Sequence, residues 1–261
     1  MFMEGKIALI TGSTSGIGLA IAKSLAAQKV KVVLNGIASE QDVEKLKAEF
    51  TKDYAYTPLF HGADLSKKDQ ILDMVKFIES NLGEIDILVN NAGIQHVAMV
   101  EDFPDEKWDA IIAINLSSSF HLIKHTIGKM KAKKWGRIIN VASVHGVVAS
   151  ANKSAYVSAK HGIIGLTKTI ALEAASTGVT CNAICPGWVL TPLVQKQIDA
   201  IAEKDKISNE DAKVKLLSEK QPSKTFTNPE DIGAMAVHLC TNFANNISGS
   251  NFILDGCWTS Q

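Results

Sequence analysis

The chain predicts an α/β fold, a doubly wound parallel sheet with helices on both faces. Three observations predict it. Short apolar runs alternate with longer amphipathic or charged stretches along the whole chain. A glycine-rich turn, Gly12 to Gly18, joins the first apolar run to the first amphipathic stretch. Polar and small residues follow the apolar runs, where such sheets bind ligands, outside the carboxyl ends of their strands. At 261 residues, 46% apolar and 21% charged, the chain suits one domain, 1–261.

Lys6 to Ile10 is the first predicted strand. Thr11-Gly12-Ser13-Thr14-Ser15-Gly16-Ile17-Gly18 follows, then an amphipathic helix over Leu19 to Gln28. Strand, glycine turn and helix make a dinucleotide cradle of Rossmann type. Glycines let the backbone approach a pyrophosphate, and the helix N-terminus offers N–H groups. The spacing is Gly-x-x-x-Gly-x-Gly, not Gly-x-Gly-x-x-Gly. Val30 to Leu34 is the second strand. Where such folds place an acid for the ribose hydroxyls, this chain reads Leu34-Asn35-Gly36-Ile37. No Lys or Arg stands there or beside Ser15 to meet a 2′-phosphate, which favours NAD and leaves Asn35 and backbone groups for the ribose.

Glu40 to Lys52 is a charged helix, and Tyr56 to His61 a third strand ending in Gly62-Ala63-Asp64-Leu65. Asp64 either accepts from an adenine amino group or caps the helix Lys67 to Leu82. Strand Ile85 to Val89 ends in Asn90-Asn91-Ala92-Gly93, small enough for a cofactor to lie against the backbone. Asp105 to Lys134 reads as one long helix or two. It carries Asn115 in an apolar run, and a buried Asn needs hydrogen-bond partners. Strand Arg137 to Val141 leads to Ser143, then a loop and a helix to about Thr177. Strand Val179 to Ile184 closes in Cys185-Pro186-Gly187-Trp188-Val189. The Lys- and Glu-rich insert from Thr191, about 191–220, reads as a helical lid over the site, which a solvated helical hairpin also satisfies. A helix over Asn228 to Cys240, a strand over Ser250 to Leu254 and a tail carrying Trp258 complete the chain.

Basic and acidic residues balance at 27 each, so no basic field points to nucleic acid or an anionic membrane. No apolar run has the length of a bilayer span. The N-terminus has no signal-peptide layout, so a cytoplasmic protein is expected. Cys181, Cys185, Cys240 and Cys257 form no Cys-x-x-Cys and read mainly as buried thiols. His121 and His125 lack a third ligand, so no metal is expected. The single arginine, Arg137, opens a strand and offers no clamp for a substrate carboxylate.

Tyr156 and Lys160 lie one turn apart on one helix face. A phenol, with an ordinary pKa of about 10, is a poor base at neutral pH. A neighbouring ammonium favours the phenolate. A tyrosine so tuned exchanges a proton with a substrate hydroxyl, and Ser143 can orient the same oxygen. The spacing alone fits a surface Tyr and a solvated Lys equally well, so the rest of the chain decides.

Taken together, Thr11-Gly12-x-x-x-Gly16-Ile17-Gly18, Asp64, Asn90-Asn91-Ala92-Gly93, Asn115, Ser143, Tyr156-x-x-x-Lys160 and Pro186-Gly187 resemble the short-chain dehydrogenase/reductase family over nearly the whole chain. The resemblance implies alcohol–ketone interconversion with NAD or NADP, usually in a homotetramer. It implies catalysis by Asn115, Ser143, Tyr156 and Lys160. It implies cofactor contacts from Gly12, Thr14, Ser15, Gly16, Ile17, Gly18, Asn35, Asp64, Leu65, Asn91, Ala92, Gly93, Tyr156, Lys160, Pro186, Gly187, Val189 and Thr191. Within the family, Gln95-His96, Ser143-x-His145-Gly146, Ala149 to Tyr156, Pro186 to Val194 and the Trp258 tail are most similar to the bacterial D-3-hydroxybutyrate dehydrogenases. That branch implies NAD and a substrate pocket of Gln95, His145, Lys153, Trp188, Gln197 and Trp258. The tail departs in reading Asp255-Gly256-Cys257-Trp258, where a second Gly is expected before the Trp. Other readings are a reductase of another small substrate, such as a 3-oxoacyl thioester, and a silent NAD-binding regulator.

Overall fold

A computed structural model describes residues 3–260, with Leu193 described by its backbone alone. Met1, Phe2 and Gln261, the ends of the N-terminal segment and tail, lie outside the described residues. Seven strands form one all-parallel sheet: β1 (Ile7–Ile10), β2 (Lys31–Asn35), β3 (Leu59–His61), β4 (Ile87–Asn90), β5 (Gly136–Val141), β6 (Val179–Pro186) and β7 (Asn251–Leu254). Their order is β3-β2-β1-β4-β5-β6-β7. The order reverses between β1 and β4, and the crevice at such a point is where open α/β sheets bind ligands.

Both faces of the sheet are covered, and strand periodicity shows how. Ala8 and Ile10 enter one apolar cluster, with Ile21, Leu25, Phe50 and Ile232. Ile7 and Leu9 enter another, with Met74, Ile78, Leu122 and Ile170. Alternate side chains of one strand thus feed opposite cores. Helices α1 (Gly16–Ala26), α2 (Glu40–Tyr54), α3 (Lys68–Asn81), α4 (Asp105–Ile112), α5 (Ser118–Ala132), α6 (Ser154–Ala174), α7 (Pro192–Asp205), α8 (Asn209–Lys220) and α9 (Pro229–Cys240) alternate with the strands. Among the described residues no helix is long and apolar enough to cross a membrane.

The structure refines three of these expectations. The third strand starts at Leu59 rather than Tyr56, because Pro58 has no N–H for the ladder. The stretch from Asp105 is two helices joined by a π-helical turn, Ala113–Ser117, centred on Asn115. Cys181, Cys185 and Cys240 are buried, but Cys257 is exposed. The insert forms α7 and α8, capped by Thr191 and Ser208. It has its own small core of Val194, Ile198, Ala202, Ala212 and Leu216.

Candidate active site

The cofactor groove opens above the β1–β4 crevice. Gly12, Thr14, Ser15, Gly16, Ile17, Asn35, Asp64, Leu65, Asn91, Ala92, Gly93 and Thr191 line it. Gly12 and Gly16 have φ of +61° and +56°, the left-handed region that glycine enters without penalty. A Cβ on Gly12 would sit 2.9 Å from the Cα of Ala92. Ser15, which precedes α1, makes no side-chain cap, so the helix N-terminus keeps donors for an anion. Asn91 joins the β4 end to the glycine turn: its Nδ2 donates to the carbonyls of Thr11 and Gly12, at 2.9 and 3.0 Å. The cradle therefore fits a dinucleotide.

Several expected contacts change role. Gly18 does not line the groove; it is buried, and a Cβ there would meet the Gly12 carbonyl at 2.3 Å. It lets α1 pack close under the turn. Asn35 lines the groove, but its Nδ2 donates to the carbonyls of His61 and Ala63, at 2.9 and 3.2 Å. The amide nitrogen expected on the ribose instead holds the end of β3. Asp64 accepts from the Ser66 N–H and hydroxyl, which hold its carboxyl below the usual range, and Lys67 occupies the N-cap of α3. Asp64 thus shapes the turn before the helix without capping it. Lys45 of α2, with no local motif to signal it, lies with Asp42 and Glu49 in the shallow pocket beyond Thr14 and Ser15.

Ile17, Asn91, Gly93, Ile94 and Thr191 also line a second cleft, which continues the groove. That cleft holds Ser143, His145, Lys153, Tyr156 and Lys160 with Pro186, Gly187, Trp188 and Val189. Gln95, Gln197 and Trp258 join it from three distant segments. Ile94 and Ala142 are apolar wall residues outside any motif, and Val194 joins them from α7.

Lys160 is buried and donates to the Val141 carbonyl at 2.8 Å. Its ammonium lies 5.6 Å from the Tyr156 ring centroid, and burial pushes it down to about 8. The Tyr156 phenol is pushed up, not down: burial dominates, and a hydrogen bond with Ser143 opposes it. The Lys160 ammonium itself is held beside the ring by the Val141 carbonyl. Asn115 is likewise committed. Its Oδ1 accepts from the Ile94 N–H and its Nδ2 donates to the Ile94 carbonyl, both at 2.9 Å. The side chain thereby pins the loop beside the cleft.

The substrate end is aromatic and cationic. Trp188 and Trp258 lie 5.6 Å apart between centroids, and the Trp258 ring meets His145 at 5.4 Å. The Lys153 ammonium lies 5.4 Å from the Trp188 centroid, lowered by burial and raised in part by Glu219. His145, expected in the substrate pocket, lines the cleft, and its ring nitrogens face hydroxyls: Nδ1 is 3.4 Å from Ser143 Oγ, and Nε2 is 2.9 Å from Ser150 Oγ. Two supports went unseen in the sequence. Buried Gln221 accepts from the Trp188 N–H at 3.0 Å and donates to the Thr225 carbonyl. Asp255 accepts from Cys257, and from the N–H and hydroxyl of Thr259.

The sequence profile of the short chain dehydrogenases matches residues 6–202. The chain belongs to that family. It is 57% identical over 260 residues to a D-beta-hydroxybutyrate dehydrogenase of Cupriavidus necator, covering 99% of this chain and all of that one. It is 51% identical to a Rhizobium meliloti protein of the same name, over 98% of this chain and 99% of that one. A 3-oxoacyl-[acyl-carrier-protein] reductase of Haemophilus influenzae is 34% identical, over 97% and 98%. Among solved structures, L-sorbose reductase from Gluconobacter frateurii, complexed with NADPH and L-sorbose, superposes with a TM-score of 0.94 at 28% identity, over the full length of both chains. This short-chain dehydrogenase thus carries the family's nicotinamide-dinucleotide fold, with a cleft beside it that is narrower in chemistry than the fold requires.

Proposed function

We propose that this enzyme oxidises D-3-hydroxybutyrate to acetoacetate, reversibly, with NAD. The observation that carries the reading is Lys153 in the cleft of Tyr156, its ammonium over Trp188. A small hydroxy acid needs its hydroxyl at the phenol and its carboxylate at a cation, and the cleft supplies both. The names of the two relatives above 50% identity agree with it. Absence of any Lys or Arg from the groove lining favours NAD, and Asp42 and Glu49 stand beside Lys45 in the pocket beyond.

Bound in the groove, NAD would supply the hydride acceptor. The glycine turn, the N-terminus of α1 and Asn91 to Gly93 would hold it. Tyr156 takes the proton of the substrate hydroxyl, and Ser143 donates to the same oxygen. Lys160 supplies the positive charge that the phenolate needs. Lys153, Gln95 and Gln197 hold the carboxylate, Trp188 and Trp258 wall it in, and α7 and α8 close over it as a lid. Exposed Trp108 and Phe120 on α4 and α5, with Leu172 and Ile253 on α6 and β7, leave apolar surface for a homotetramer. A monomer by light scattering would remove that last element. The activity itself is tested by giving the purified protein NAD or NADP with each enantiomer of 3-hydroxybutyrate and following reduced-cofactor absorbance. Turnover with NAD and the D enantiomer is expected, and silence in all four combinations would overturn the reading.

A further inference from the structure

Gln221 is a buried amide that no step of the proposed reaction uses, and it lies outside the cleft lining. It follows α8, where the hairpin of α7 and α8 returns to the body of the protein. Both polar atoms of its side chain are spent. Oε1 accepts from the Trp188 N–H at 3.0 Å, and Nε2 donates to the Thr225 carbonyl. The Trp188 carbonyl accepts from the Thr227 N–H at 2.9 Å. Both backbone polar groups of Trp188 are therefore held by the segment that leaves α8.

The packing around the amide is as close as the bonding. A Cβ on Gly187 would sit 2.8 Å from Gln221 Oε1 and 2.9 Å from the Cα of Asp255. A Cβ on Gly256 would sit 2.9 Å from Gln221 Cγ. The Gly256 carbonyl accepts from the Ser223 N–H at 3.1 Å, two residues beyond the amide. Gln221 thus stands as a wedge between two backbone turns. One, at the end of β6, carries Trp188; the other, in the tail, carries Trp258. Those two rings wall the cleft with 5.6 Å between centroids.

We infer that Gln221 sets the spacing of Trp188 and Trp258, and through it the length of hydroxy acid that the cleft accepts. It is a positioning residue, acting through the two tryptophans. The inference rests on the reading of the cleft as a site for a small 3-hydroxy acid. Without the amide, the Trp188 N–H is left buried and unpaired, and its backbone shifts to regain a partner. Truncation also leaves a void into which both turns relax. A wall displaced by the width of a methylene admits a longer chain, and one methylene in an apolar pocket is worth about 10- to 200-fold in selectivity.

The test compares D-3-hydroxybutyrate with D-3-hydroxyhexanoate in the wild type, Gln221→Ala and Gln221→Met. Gln221→Met keeps the length of the side chain and removes its hydrogen bonds, and it serves alone if Gln221→Ala does not fold. The preference for the shorter acid in kcat/KM should fall about tenfold, through KM rather than kcat. NADH affinity by fluorescence titration should stay unchanged. A role in stability alone would lower Tm and depress both acids alike. An unchanged preference in a folded variant overturns the inference, and so does an equal loss of NADH binding. The spacing is also read without turnover. Two indoles this close give an exciton couplet in far-ultraviolet circular dichroism, with Trp188→Phe as blank, and the couplet should weaken in the Gln221 variants. Silence of the wild-type enzyme with both acids is a failure of the proposed substrate, not of the wedge. The couplet then decides, and a wild-type couplet in the variants overturns the inference.

Discussion

The two halves of the site are built by different means. The cofactor groove is joined by side chains that bond the backbone of neighbouring strand ends. Thr11 Oγ1 accepts from the N–H groups of Asn91 and Ala92, and Asn91 returns two bonds to the glycine turn. Its parts lie at the ends of neighbouring strands, so the sheet places them. The substrate cleft is assembled from side chains of five separate segments: the loop at Gln95, the stretch Ser143 to Lys160, the β6 end at Trp188, α7 at Gln197 and the tail at Trp258. Rings, an ammonium and the hairpin's own core hold it. The groove is therefore a property of the fold, and the cleft a property of this sequence.

That contrast predicts separable failures. The largest is Tyr156→Phe, which removes the proposed acid–base group and no groove contact of the glycine turn. Turnover should fall about 10²- to 10⁴-fold, while NADH fluorescence titration shows unchanged affinity. An equal loss of NADH binding would show that the halves are one unit.

Acid should open the cleft before the groove. His145 is held neutral, down to about 4, against an ordinary value of 6.5. Above the unfolded value both states are neutral and the residue contributes nothing. As pH falls from 6.5 toward 4, the unfolded chain binds a proton that the native ring refuses, and stability drops by up to about 3 kcal/mol. Below the folded value the loss is complete. Thermal melts from pH 7 to pH 4 should show this loss diminished in His145→Gln. A slope identical to wild type would remove His145 as the cause.

A smaller pair of variants divides the site directly. Asn91→Ala leaves the Thr11 and Gly12 carbonyls short of a donor, and should weaken NAD about tenfold with little change in KM for the acid. Lys153→Ala should do the reverse, raising KM for 3-hydroxybutyrate about tenfold while its methyl ester and NAD are scarcely affected. Isothermal titration and initial rates read both. Equal effects of Lys153→Ala on acid and ester would take the carboxylate away from Lys153.

The same contrast explains what the sequence could tell. Alternating apolar runs and the turn at Gly12 to Gly18 place strands, helices and groove, because local periodicity and glycine geometry fix them. Individual polar side chains in the groove were less legible. Asp64 closes its own turn onto Ser66, while Asn35 and Asn115 are spent on remote segments, His61 and Ala63 in one case and Ile94 in the other. Partners that far away leave no trace in a local pattern. Gln95, Gln197 and Trp258 are reached through resemblance alone, since nothing near them in the sequence says that they meet. Gln221 and Asp255 fall outside both routes: Gln221 reaches back to the Trp188 N–H, and Asp255 folds the tail onto itself through Cys257 and Thr259.

Cys257 is the smallest test of how the cleft is held, and it is where the tail departs from expectation. The residue before Trp258 sits at φ +72°, directly after Gly256 at +56°. Two left-handed residues in succession turn the chain so that Trp258 is buried against Trp188 and His145. Asp255 fixes the turn by accepting from the Cys257 N–H at 3.0 Å. Left-handed backbone costs a residue with a Cβ roughly 1–2 kcal/mol. The thiol is exposed, so little buried area offsets that cost. Cys257→Gly removes the strain, while the freer unfolded chain takes back roughly 0.4–1 kcal/mol. The net gain is about 0.5–1 kcal/mol, or roughly 1–4 °C in Tm for a chain of this size. Calorimetry should find that rise with KM for 3-hydroxybutyrate unchanged. A lower Tm would mean that the Cys257 side chain, and not only the turn around it, holds the tail beneath the tryptophan pair.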